Sequence, residues 1–248
     1  MPPSLLLEVG PRECRLQGAA GTTDVQAVEG AGEAEALAEA AAALAARLPR
    51  GARLDVRVAS PLARIMVLPW SEAITGEARW QTFAQARFEQ TYGDEGDRWE
   101  IRVARDLPGR DRIAVAWPAP LARALSGVRA LRSARVGLLE HLAVLLHHMP
   151  AFTGCLAEIG EEGAAMVLVV SGEVRRARWR RHEDDASLAA TLRSEWASVG
   201  AHGAAALALA PPAPPPASER AATVSALAEA LGTTEVFTLP DLGAGPVA

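Results

Sequence analysis

The most apolar uninterrupted stretch of the chain, residues 164–170 (AAMVLVV), stops at Ser171-Gly172 and is followed by EVRRARWRR. A Val- and Leu-rich run of strand length, a Gly-containing pair and a second strand-like run predict a buried β-hairpin. The chain opens on the same pattern. Residues 4–18 (SLLLEVGPRECRLQG) are an apolar run, then Gly10-Pro11, then a segment in which Cys14 and Leu16 alternate with charge. Laying Gly10 on Gly172 puts Glu8 on Val170. One hairpin per half predicts a duplicated fold, with both hairpins central in mixed sheets and Leu6, Val9, Leu168 and Val170 buried.

Around the hairpins the period of the pattern changes. Residues 24–29 (DVQAVE) are expected as a third strand. Over 33–48, Leu37, Ala41, Leu44 and Leu48 recur at helical spacing, and Pro49 and Gly51 stop that helix. Residues 53–59 alternate Leu54, Val56 and Val58 against Arg53, Asp55 and Arg57, so one face is buried and the other wet. After Pro61, LARIMVLPW (62–70) predicts a strand. Residues 77–92 predict a helix carrying Trp80, Phe83, Ala84, Phe88 and Tyr92 on one side, with Gly93 as its cap. Two further strands, 99–104 and 112–117, flank the turn-rich DLPGRD, and helices are expected over 120–128 and 136–149. Beyond the second hairpin, Asp184 or Asp185 caps a helix running to Val199 on a face of Leu188, Leu192 and Trp196. A small-residue strand (204–210) then enters the stiff polyproline-type APPAPPPAS, whose Ser218 caps a helix carrying Val224, Leu227 and Leu231. A short last strand (234–239) precedes a tail, 241–248, expected to be flexible.

Composition narrows the chemistry. Half of the 248 residues are hydrophobic, enough for one large core or two smaller ones. All 25 basic residues are Arg. The absence of Lys excludes a phosphate loop with its lysine, a Schiff-base lysine and a kinase-type lysine. A net charge of −5 speaks against nucleic acid as a partner of the protein as a whole. Cys14 and Cys155 lack metal-ligand spacing and read as reduced core thiols. Glu8 interrupts the first apolar run, so no targeting segment is read there, and prolines rule out a membrane helix over 201–218. A cytoplasmic protein with no membrane insertion is expected.

The paired hairpins LLLEVGPRECRL and VLVVSGEVRRARW, with RLDVRVASPLARIMVLPW and its following helix and two strands, resemble the actin-like ATPase superfamily. Within it they resemble the pilus PilM and secretion GspL type. The resemblance implies an α/β fold of mixed sheets, the duplicated two-lobe arrangement of actin and hexokinase, with a small inserted subdomain. It implies a first lobe of 1–60 and 119–150, an insert of 61–118 and a shortened second lobe of 151–240. In members that use ATP, each hairpin begins with an Asp that organises metal and phosphates, and glycines let backbone N–H groups approach the phosphate. On the correspondence above those positions are Glu8 and Val170, with Gly10 and Gly172 as the glycines of a vestigial cleft; Val170 cannot hold a metal-bound water. Pro211-Pro212 stands where an adenine-binding glycine pair is expected. The implied function is a non-catalytic module, without cofactor, of a type IV pilus or type II secretion-like envelope assembly. Its partner would be the cytoplasmic segment of an inner-membrane assembly protein, and self-association is compatible with it. The alternative is a nucleotide-binding ATPase or sugar-kinase relative using Glu8 and Gly10.

Other constellations carry less. His141, His147 and His148 fall on one helix with no carboxylate or Cys to complete a metal site, and Ser171 lacks the G-x-S-x-G spacing of a nucleophile turn. In RRARWRR, Arg176, Arg178 and Arg180 share one face of a strand; pairing within the chain, with the acidic run 183–185 at hand, competes with a ligand surface. Aromatic residues make up 4% of the chain but concentrate in the insert, mostly as its own core. Trp70, after Pro69 at a strand end, is the exception. It and Arg79 are expected at the edge of a partner groove between the N-terminal unit and the insert.

Overall fold

The computed structural model describes residues 3–18, 23–28, 34–93, 98–105, 109–160, 163–181, 184–200, 205–210 and 217–239. The expected tail 241–248 and the pair Pro211-Pro212 lie outside them.

The alternation along the first strands builds the first sheet. β1 (Ser4–Val9), β2 (Glu13–Gln17), β3 (Thr23–Ala27), β4 (Arg53–Val58) and β8 (Leu131–Val136) join in the order β3-β2-β1-β4-β8, antiparallel through the hairpins and parallel from β1 to β8. One face, with Leu7, Val9, Cys14, Leu16, Leu54, Val56 and Val58, is buried beneath α1 (Ala34–Ala45) and α3 (Ala119–Ser126). Leu7, fully buried, points into that core, and Leu6 is only half-buried because the period of two turns it to the other face. The opposite face carries Glu8, Arg15, Gln17, Asp55 and Arg57.

The second lobe repeats this plan. β9 (Gly154–Ile159), β10 (Gly163–Val170), β11 (Glu173–Arg181), β12 (Ala206–Ala210) and β13 (Val236–Thr238) stand in the order β11-β10-β9-β12-β13. The near-continuous apolar runs of β10 and β12 have the pattern of strands covered on both sides. Met166 and Leu168 face α5 (Asp185–Ser198) and α6 (Ala217–Leu231), while Ala165, Val167 and Val169 meet Leu138, Leu142 and Leu145 of α4 (Gly137–His148). Asp184 is the cap of α5, its carboxylate accepting the Ser187 N–H at 2.7 Å. Ser218, expected just ahead of its helix, lies within the first turn of α6.

Between the lobes sits a three-stranded sheet, β5-β7-β6, made of β5 (Arg64–Leu68), β6 (Trp99–Val103) and β7 (Arg112–Pro118). α2 (Glu77–Tyr92) covers one face through Trp80, Ala84 and Phe88. The Arg64 guanidinium lies 5.2 Å from the Trp99 ring and 5.5 Å from the Trp179 ring, tying this insert to the second lobe. No helix among the described residues is long and apolar enough to cross a membrane.

Candidate functional site

The strand orders change which residues correspond between the lobes. β1 begins the first sheet and β9 the second, so the counterpart of the β1–β2 hairpin is β9–β10 and not β10–β11. The turns agree in detail: Gly10 N–H donates to the Glu13 carbonyl at 2.9 Å, and Gly160 N–H to the Gly163 carbonyl at 2.9 Å. Glu8 therefore corresponds to Glu158, and the pairing of Glu8 with Val170 is incorrect. Gly172 is likewise no counterpart of Gly10. It lies with Ser171 in the two-residue turn between β10 and β11, both at positive φ (78° and 52°), the conformation that a tight hairpin of this twist requires. Its N–H donates to the Phe152 carbonyl.

Glu8 and Glu158 thus take the next-to-last position of the first strand of each lobe. Around them the chain supplies its own counter-charge. Arg57, from β4, reaches Glu8 Oε1 through Nη1 at 3.1 Å and Glu140 Oε2 through Nε at 2.7 Å, while Gln17 Nε2 donates to Glu8 Oε2 at 2.9 Å. Arg135 approaches the other oxygen of Glu140 at 3.6 Å. At the junction of the two lobes the Ser60 hydroxyl, 1% exposed, donates to Glu158 Oε2 at 2.8 Å. Burial pushes the Glu158 carboxyl up, against the opposing pull of Ser60 and of the Arg57 charge. The residues present fit a nucleotide and its metal poorly. Arg57 already neutralises Glu8 and Glu140, and a guanidinium so close repels a divalent ion.

On the same sheet face, Asp55 Oδ1 accepts from the Ser133 hydroxyl at 2.6 Å and from Arg132 Nε at 2.9 Å. Partial burial pushes its carboxyl up, but these bonds and the charges of Arg132 and Arg135 outweigh it and hold the group below the usual carboxylate value. A depressed folded-state value contributes stability that is present above the unfolded value and lost as pH falls through the folded one. Asp55→Asn should therefore flatten the acid limb of the stability profile while leaving its alkaline limb in place, measured as the urea midpoint against pH.

A second feature is a groove of about 700 Å³ between the insert, β8 with α4, and the β10–β11 turn. Ile113, Val115, Leu139, Leu142, Leu146 and Val174 form its apolar lining, and Arg102, Arg110, Arg135 and Arg175 are among its polar groups. The lining follows from alternation in β7: Ala114 and Ala116 turn toward α2, Ile113 and Val115 away from it. Trp70 is 36% exposed, and its backbone N–H donates at 2.9 Å to Oδ1 of Asp111, a residue of the lining. Arg79 sits on α2, across the sheet from the groove, with Nη1 3.4 Å from Thr75 Oγ1.

The arginine run is absorbed within the second lobe. Arg176, Arg178 and Arg180 converge on Glu195 of α5 at 2.6, 3.6 and 3.7 Å. The shared strand face was legible, and Glu195 neutralises it because α5 packs over that face; residue 183 of the acidic run lies outside the described residues. His141 is buried, with Nδ1–H donating to the Gly137 carbonyl at 2.9 Å, and no metal-binding cluster occurs among the described residues. Burial raises Cys14 to about 11, with help from the Glu13 charge, and Cys155 to about 12. Both are inert core thiols.

Neither a protein-family model nor a curated protein matches the sequence. Solved structures do match. A Bacteroides thetaiotaomicron protein of unknown function with an actin-like ATPase fold aligns over 96% of this chain and 90% of its own, at 9% identity and a TM-score of 0.64. This chain has the actin-like ATPase fold. A chain of the PilM-PilN type IV pilus biogenesis complex aligns over 97% of this chain and 89% of its own, at 15% identity and a TM-score of 0.60. The cytoplasmic domain of EpsL, an inner-membrane component of the Vibrio cholerae type II secretion system, aligns over 86% and 84% at 13% identity and 0.48. The actin-like fold accounts for the repeated strand order and for the placement of Glu8 and Glu158 at equivalent positions of the two sheets.

Proposed function

We propose that this protein is a non-catalytic scaffold of a type IV pilus or type II secretion-like envelope assembly. Its groove takes the cytoplasmic segment of an inner-membrane assembly protein, so that a cytoplasmic protein is recruited to the membrane by its partner. The observation that carries this reading is the largely apolar groove of about 700 Å³ at the junction of insert and lobes, edged by arginines. The PilM-PilN complex, whose chain shares the fold, supports it by analogy. Titration of the partner segment should show Trp70→Ala weakening binding by about 2 kcal/mol, roughly thirtyfold. Arg79→Ala, on the far side of the sheet, should leave it unchanged. Equal affinity for wild type and Trp70→Ala removes this edge from the docking site.

A nucleotide-binding, actin-like ATPase or sugar-kinase relative is the second reading, favoured by one observation: both lobes, not one, carry a carboxylate at the next-to-last position of their first strand, Glu8 and Glu158. Calorimetry with Mg-ATP separates the two. No binding is expected; micromolar binding that disappears in Glu8→Ala establishes the enzyme reading instead.

A further inference from the structure

Charged and polar side chains of both lobes meet at one point of their junction. Ser60 follows β4 and bonds to Glu158 of β9, so one hydrogen bond crosses from the first lobe to the second. Gly137, the first residue of α4, roofs this point. A Cβ placed on it would lie 3.5 Å from Arg57 Cδ and 3.8 Å from Glu158 Oε2, which brings the arginine stem and the carboxylate of the other lobe to a common contact. The helix start adds its partial positive charge beside Glu158. Arg57 itself is held at both ends of its fork by first-lobe carboxylates, with 15% of its side chain exposed, so its charge is weakly screened by solvent and fixed in direction.

We propose that Arg57 is a built-in counter-ion that latches the lobes together at this point, joining Glu8 and Glu140 of the first lobe to the Ser60–Glu158 bridge of the second. Without it, three carboxylates face one another across a partly buried seam, and the seam opens locally around Ser60 and Glu158 to hydrate them, while Leu138, Leu142 and Leu145 keep α4 on the second sheet. The latch is independent of what the groove binds.

Hydrogen exchange on the full chain tests it. In Arg57→Gln, amides of β9 and of the Ser60–Leu62 turn should exchange at least tenfold faster, while those of α5, remote from the seam, keep their wild-type rates. Glu158→Gln removes the second-lobe charge but keeps an acceptor for Ser60. In that background the effect of Arg57→Gln should shrink by at least threefold. Wild-type exchange in Arg57→Gln overturns the latch, and so does an equal effect in both backgrounds, which would confine Arg57 to the first lobe. If Arg57→Gln does not fold, Arg57→Lys, which keeps the charge but cannot fork between Glu8 and Glu140, takes its place: the same segments should open to a smaller extent, and no change there overturns the proposal.

Discussion

Gly172→Ala should be among the most damaging single substitutions in the chain, lowering stability by about 3 kcal/mol or more. Two costs add. Gly172 has φ +78°, where an L side chain loses roughly 1–2 kcal/mol, and a Cβ there would fall 1.9 Å from the carbonyl oxygen of Pro150, which is backbone and cannot swing away. The segment after α4 and the β10–β11 turn would have to part, breaking the Gly172 N–H bond to Phe152 and uncovering the seat of Phe152, 3% exposed. Gly51→Ala separates the two costs. Gly51 has φ +77°, yet nothing lies within 4 Å of its Cβ position, so only the conformational cost applies. Thermal unfolding should place Gly172→Ala well below Gly51→Ala, at about 2–4 °C for each kcal/mol of difference in a chain of this size. Equal midpoints would mean that the turn yields freely, and a purely structural role for Gly172 would be lost.

The same turn shows how far the sequence could be read. The β10–β11 hairpin was plain because seven apolar residues end at a pair able to take positive φ, and the insert helix was plain because Trp80, Ala84 and Phe88 recur one turn apart. Two strands were not legible. β8, LRSARV, reads as charged linker between helices, since only Val136 is fully buried and the strand is specified by parallel pairing to β4, a non-local interaction. β9, GCLAEI, is short, opens on Gly, and has its apolar run broken by Glu158. Missing β9 shifted the second lobe by one strand, which set Glu8 against Val170 and hid Glu158. A clue was present: Glu-x-Gly occurs at Glu8–Gly10 and again at Glu158–Gly160, each after a short apolar strand. The counter-charges were less accessible still. That Arg57 meets Glu140, and Arg176 meets Glu195, depends on α4 and α5 crossing the sheets, and no local pattern encodes a crossing. The side of the insert on which Arg79 lies was not legible, because helix periodicity tells which residues share a face and not which side of the sheet the helix covers.

Trp80→Ala should cost about 3–5 kcal/mol, the range for emptying a large aromatic site in a packed core. Trp80 is 2% exposed and is the largest side chain between α2 and the three-stranded sheet. Its ring meets Phe83 edge-on at 5.9 Å and is capped by the Arg112 guanidinium at 4.6 Å, so the substitution also strips a cation from its aromatic partner. The insert's core is small, with Met66, Leu68, Ala84, Phe88, Ile101, Ala114 and Ala116 completing it, and the alanines cannot swell to fill the space. The loss should therefore appear locally: hydrogen exchange should speed up in α2, β6 and β7 before it does in the lobes. The consequence for function follows from alternation in β7. Ala114 and Ala116 rest on the Trp80 side while Ile113 and Val115 line the groove, so a strand loosened on one face cannot hold a shaped surface on the other. Trp80→Ala should thus weaken partner binding without touching the partner, and Trp70→Ala should weaken it while leaving exchange in β7 unchanged. If Trp80→Ala opens β7 and the partner still binds at wild-type affinity, the groove does not depend on its β7 wall, and the partner's site lies on the α4 side.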